Sequence, residues 1–187
     1  MKKAKIILIP TISLFIICMV ATALLALTNK VTLPKIDQIN AEIAAESRKQ
    51  VLPDAVKFDK ENKDGVGEYF VGKNAKNEVV GYVFTCAGTK KGYGGVVEVM
   101  TGISKDGKIT GVNPITLNET PGLGMNASKD TFKNQFKDKK GTLEVVKSAP
   151  SKDGQIQALT SATITSRAFT SSVNVALENY EKIGGQN

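Results

Sequence analysis

The sequence has no histidine, no tryptophan and only two cysteines. Without histidine there is no Ser-His-Asp triad, no Cys-His pair, no His-ligated zinc and no haem with a histidine axial ligand. The cysteines, Cys18 and Cys86, lie in an apolar N-terminal run and in the body of the chain, so they are not expected to form an intramolecular disulfide. There is no CxxC pair and no Cys₄ set to hold an iron–sulfur cluster. Redox work by this chain therefore needs an organic cofactor. Aromatics are also scarce, at 6%, so burial must rest on Val, Ile, Leu and Ala. No GxGxxG follows a strand-like run, which leaves no sign of a nicotinamide site.

What the chain does have begins with charge and length. It spans 187 residues with a formal net charge of +7, room for one domain plus a small extra element. Three of the positive charges are Lys2, Lys3 and Lys5, ahead of the first apolar run. No Lys/Arg block is interleaved with aromatics, so the basicity reads as topology signal and solvated surface, and no nucleic-acid partner is expected.

Ile6 to Leu27 contains 22 residues without a charge. As a helix it would extend about 33 Å, enough to cross a hydrocarbon core of about 30 Å. The run is longer than the apolar region of a cleaved signal peptide. Ile16 and Ile17 before Cys18 are too large for a lipoprotein signal. The segment reads as a retained anchor, with the lysines on the cytoplasmic side and the chain after Asn29 outside.

Beyond the anchor, Thr32 to Val51 has helical spacing of Ile36, Ile39, Ile43 and Ala44, and Pro53 stops it. Glu68–Gly72, Val79–Cys86, Val96–Ser104 and Ile109–Leu117 read as strands of an antiparallel sheet. Ser104 to Lys108 is a hairpin connection between two of them. Lys129–Phe136 reads as a short helix with Ser128 as candidate N-cap. Leu143–Val146 reads as a short strand. A closing helix over about 165–183 turns Phe169, Val173, Ala176, Leu177 and Tyr180 inward. The expected class is α+β: one N-terminal transmembrane helix, then a domain with an antiparallel sheet and flanking helices. The domain boundaries drawn are 1–29 for the cytoplasmic stub and anchor, 30–52 for a linker helix, and 53–187 for the folded domain.

Chemistry concentrates where the closing helix begins. Thr160, Ser161, Thr163, Thr165 and Ser166 crowd around Ala162, just before Arg167. Two readings fit these hydroxyls. Ser and Thr cap helix starts, a task needing one hydroxyl. A helix start with several hydroxyls also favours a phosphate, through free N–H donors and the positive end of the dipole. Two glycine loops precede it, Gly92-Tyr93-Gly94-Gly95 and Glu119-Thr120-Pro121-Gly122-Leu123-Gly124. Each reads alone as a turn or bulge. Cys86 reads as a small buried hydrophobe.

The segment Thr160–Thr165 resembles the flavin-attachment motif Ser/Thr-Gly-Ala-Thr-x-Thr of the FMN-binding domain family. That family includes the G subunit of the Rnf electron-transport complex and the C subunit of sodium-pumping NADH:quinone reductase. The loop Glu119–Gly124 is similar to the family's loop beside the flavin ring, and Tyr93-Gly94-Gly95 to its glycine corner. The order of the motifs and the N-terminal anchor resemble the Rnf G subunit along nearly the whole chain. The resemblance implies one FMN per chain, bound covalently through its phosphate to Thr163 by a dedicated flavin transferase. It also implies an extracytoplasmic FMN-binding domain that relays electrons within a ferredoxin:NAD oxidoreductase coupled to cation transport, beside other membrane, iron–sulfur or flavin subunits. The cofactor-binding set it implies is Thr163 with Thr160, Ser161, Ala162, Thr165 and Ser166, Glu119, Thr120, Gly122, Leu123 and Gly124, and Tyr93 and Gly94. Glu119 is either a partner for the flavin ring or a solvated loop carboxylate. Two positions depart from the family: Ser161 stands where glycine is usual, and Gln157 where an acidic residue is common. A serine there is strained if φ is positive. The alternatives are a C-type subunit of the quinone reductase, a stand-alone flavoprotein, and a non-redox anchored domain binding a partner or small anion.

Overall fold

The structure is a computed structural model that describes residues 2–184. The chain falls into two compact units, Met1–Ile43 and Ala44–Asn187. Helix α1, Lys2–Val51, runs through Pro10 and Pro34 without interruption, where the sequence spacing predicts a separate helix from Thr32. Pro34 removes one amide at an exposed position, where water can take the freed carbonyl, so the helix carries on. Among the described residues α1 is the one helix long and apolar enough to cross a membrane. Ile36, Ile39 and Ile43 are exposed along it.

The second unit is built on a five-stranded antiparallel meander in the order β1 (Lys57–Lys63), β2 (Gly67–Lys73), β3 (Val79–Ala87), β4 (Glu98–Ser104) and β5 (Ile109–Thr116). β1 escapes the sequence pattern because KFDKENK has no apolar alternation. It is an edge strand whose charges discourage further pairing and meet those of β2, with Lys60 Nζ 2.8 Å from Glu68 and Asp59 2.8 Å from Lys73 Nζ. The hairpin between β4 and β5 is present, turning at Gly107 with φ 78°. A parallel two-stranded piece pairs β6 (Glu144–Val146) with β7 (Gln155–Gln157). Two helices complete the unit, α2 (Asp130–Lys133) and α3 (Thr163–Lys182).

The strand period of two separates two apolar faces. On one, Phe84, Val99 and Ile103 pack with Phe169, Val173, Ala176 and Tyr180 of α3, and with Phe132 and Phe136. On the other, Val83 and Met100 pack with Val51 and Leu52 at the end of α1. The last turn of α1 lies against a glycine trough. Gly102 and Gly111 face each other across β4 and β5. A Cβ at Gly102 would collide with the Val51 carbonyl, and one at Gly111 would sit 3.0 Å from the Val51 Cα. Thr110 Oγ1 donates to that same carbonyl.

The region of α2 differs from expectation. Ser128 does not cap it. Its hydroxyl donates to the Met125 carbonyl at 2.8 Å, inside a 3₁₀ turn over Gly124–Ser128. Lys129 is the N-cap, without a side-chain bond, and a second 3₁₀ turn follows over Asn134–Phe136. Helix α3 starts two residues earlier than expected, at Thr163.

Candidate functional site

Three segments that are distant in sequence meet at a groove of about 490 Å³, within the range of small-molecule sites. The start of α3 contributes Ser161 to Thr165, the loop after β5 contributes Glu119, Thr120, Leu123 and Gly124, and the loop between β3 and β4 contributes Tyr93.

The α3 end is open in an unusual way. Its N-cap is the buried Ala162, and no side chain caps it. The Ala162 N–H donates to Leu159 O and the Ser166 N–H to Ala162 O. Thr163, Ile164 and Thr165 are the next three helical positions, whose amides have no intrahelical acceptor. Among the described residues none takes one, and all three residues line the groove. Thr163 is half-buried, at the first helical position. The hydroxyl-rich segment therefore does not serve capping. Ser161 approaches the helix with φ 61°, the left-handed conformation that costs an L-residue roughly 1–2 kcal/mol.

The loop after β5 turns at Pro121-Gly122. The Leu123 N–H donates to Thr120 O at 3.1 Å and Gly122 has φ 79°, the arrangement of a type II turn, which favours glycine at that position. Gly124 is buried. A Cβ there would come within 2.6–2.8 Å of the Glu119 carboxylate and Cβ and of Thr165 Oγ1. Glu119 is half-buried, and its Oε1 accepts the Gly94 N–H at 3.3 Å. Tyr93, Leu123 and Ile164 are 80%, 43% and 57% exposed, a rim of apolar side chains around polar backbone.

Nine of the thirteen expected residues thus line the groove. Thr160 is exposed beside it. Gly122 shapes the turn without reaching in. Gly94 serves loop packing, since a Cβ there would collide with the Asn118 carbonyl. Ser166 is fully buried: its hydroxyl accepts the Leu159 N–H at 3.0 Å and donates to Ala162 O at 3.0 Å, locking the approach to the helix. Ile164 also lines the groove; the motif does not single it out, and its place between Thr163 and Thr165 is the signal that marks it. Arg167 lines a separate cavity of about 440 Å³ with Lys90, Glu144 and Glu178. Gln157 is exposed on β7 and exchanges hydrogen bonds with Gln135. Asp153 is held below the usual carboxylate range by its bond to Lys139. Cys86 is buried, and burial pushes its thiol up to about 11, so it is inert at neutral pH.

Residues 92–178, which include the whole groove, match the family model of the FMN-binding domain. The G subunit of the Na(+)-translocating ferredoxin:NAD(+) oxidoreductase complex of Acetobacterium woodii is 40% identical, covering 91% of this chain and 89% of that one. The chain belongs to the G-subunit family of ion-translocating ferredoxin:NAD(+) oxidoreductase complexes. The G subunit of the proton-translocating complex of Clostridium ljungdahlii is 37% identical over 94% of this chain and 92% of its own. Among solved structures, the C subunit of the Na(+)-translocating NADH-quinone reductase of Parabacteroides distasonis superposes with a TM-score of 0.54 at 27% identity, covering 65% of each chain. That of Shewanella oneidensis NqrC, with a TM-score of 0.53 and 18% identity, shows the shared fold. The α+β fold of a G-type chain thus places its electron-transfer domain after a membrane-associated helix.

Proposed function

We propose that this chain carries one FMN esterified through its phosphate to Thr163, and that it relays electrons within an ion-translocating ferredoxin:NAD oxidoreductase complex. The observation that carries the reading is the uncapped start of α3: three amides without acceptors, at the positive end of a 20-residue helix, beside the Thr163 hydroxyl. A phosphate at that place accepts from the free amides and is favoured by the helix dipole. The rest of the groove suits the ring. Leu123, Ile164 and Tyr93 offer apolar surface, and Gly124 lets the backbone approach without a Cβ in the way.

FMN supplies reversible electron uptake and release when bound. The protein holds, orients and shields it. Covalent attachment forms the Thr163 Oγ–phosphorus bond while a bond from that phosphorus to the leaving group of an activated flavin nucleotide breaks. The hydroxyl proton departs, and a flavin transferase supplies the nucleotide. Positions 1–29 serve as the anchor, 30–52 as the connection and 53–187 as the flavin domain, on the extracytoplasmic side. Electron donors and acceptors are other membrane, iron–sulfur or flavin subunits of the complex.

Production of the full chain with a flavin transferase tests this directly. The wild type should gain the mass of FMN less one water and fluoresce in a denaturing gel, and Thr163→Val should do neither. Flavin that remains attached to denatured Thr163→Val would reject the assignment.

A further inference from the structure

The geometry points to Glu119 as a positioning residue: its carboxylate is the latch that holds the Tyr93-bearing loop in place beside the groove. The loop over residues 88–97 leaves β3 and returns to β4 with its base against the middle of α3, at Ser171 and Ser172. Its base is fastened. Ser172 Oγ, fully buried, accepts the Gly88 N–H at 3.0 Å and lies 2.9 Å from the Val97 carbonyl, in donating range, so one hydroxyl spans both ends of the loop. Ser171 Oγ accepts the neighbouring Thr89 N–H at 3.1 Å. Within the loop the Gly92 N–H donates to Gly95 O at 2.7 Å, closing a tight turn around Tyr93.

The tip is held differently. Its side-chain hydrogen bond is the one from the Gly94 N–H to Glu119 Oε1, at 3.3 Å. Two contacts place the carboxylate. Gly92 packs so closely on Glu119 Oε1 that a Cβ would collide with it, and Gly124 lies against the other carboxylate oxygen. The carboxylate thus sits between the tip of one wall and the turn of the other, in a slot that glycines on both sides leave open. This selects between the two sequence readings of Glu119. It is not a freely solvated carboxylate: Oε1 accepts from the loop, and the remaining lone pairs of a carboxylate stay available to the groove it lines. An 80% exposed Tyr93 has little packing of its own to hold it, so its position depends on the latch together with the close packing of Gly94 on the Asn118 carbonyl.

The inference rests on the flavin reading only for what Tyr93 would cover, and its test has an arm without flavin. Lys90 and Lys91 are exposed in the loop, which makes tryptic cleavage there, mapped by peptide mass on the full flavin-free chain in detergent, a gauge of opening. Glu119→Asp shortens the reach to the Gly94 amide, whereas Glu119→Gln keeps an acceptor oxygen in the slot. Cleavage at Lys90 and Lys91 should rise roughly three- to tenfold in Glu119→Asp, the population shift expected from loss of one hydrogen bond. It should stay near the wild-type rate in Glu119→Gln, with cleavage elsewhere and the thermal midpoint unchanged. Wild-type rates in Glu119→Asp would overturn the inference. In flavin-loaded chains, iodide quenching of flavin fluorescence should rise in Glu119→Asp toward the value for Tyr93→Ala. A rise in Tyr93→Ala alone would overturn it. Failure of the wild type to load flavin would reject the flavin reading and leave the proteolysis arm decisive.

Discussion

Ser161, which stands where the flavin-attachment motif it resembles has glycine, holds a backbone conformation that charges for the difference. At φ 61° serine forgoes roughly 1–2 kcal/mol that glycine would not. Glycine in turn loses about 0.5–1 kcal/mol more backbone entropy on folding. The Ser161 hydroxyl has no hydrogen bond among the described residues to offset either term. Ser161→Gly should therefore stabilise the folded unit by about 0.5 kcal/mol, raising Tm by roughly 2 °C for a unit of this size. Ser161→Val puts a β-branched side chain at positive φ, a genuine outlier. It should cost roughly 1–2 kcal/mol relative to serine, lowering Tm by about 3–8 °C. Differential scanning calorimetry of the three full-length chains gives the order, and denaturing-gel fluorescence of the same chains made with a flavin transferase gives attachment. Attachment should follow stability order, because the residue sets the direction in which Thr163 leaves the loop. A Ser161→Val chain as stable as the wild type would refute the left-handed conformation and the reasoning built on it.

The glycine trough under α1 should be intolerant. Gly102→Ala meets the Val51 carbonyl, a backbone atom that cannot rotate away, and should lower Tm by roughly 5–15 °C through overpacking and loss of the Thr110 bond. Tyr69 donates to Glu61 at 2.8 Å, and burial pushes its phenol from 10 up to about 12. A folded-state pKa above the unfolded value means its stabilisation is whole below pH 10 and is lost as pH rises toward about 12. Urea unfolding of wild type and Tyr69→Phe should show a gap that narrows through that window, and a constant gap would contradict the burial argument.

Much of the molecule was legible along the chain. Periodicity identified four strands of the meander and the inward face of α3, because side chains half-buried on a sheet or helix must repeat with its geometry. An uncharged run long enough for a bilayer is a local property, and so is the hydroxyl-rich segment. Charged β1 and three-residue β7 were invisible for the complementary reason: their pairing is supplied by neighbours, and their own residues carry little apolar signal.

The sequence by itself determined which residue types were available, and thus that redox chemistry needs an organic cofactor, that a helix could span a membrane, and that hydroxyls and glycines gather in three short segments. Tertiary structure alone decided what those residues do. It buried Ser166 as a brace, sent Arg167 to another cavity, left the α3 amides open where a cap was equally allowed, and set Glu119 between two glycine loops. Those outcomes depend on through-space contacts between segments tens of residues apart, and no local pattern encodes which free donor or acceptor another part of the chain will reach first.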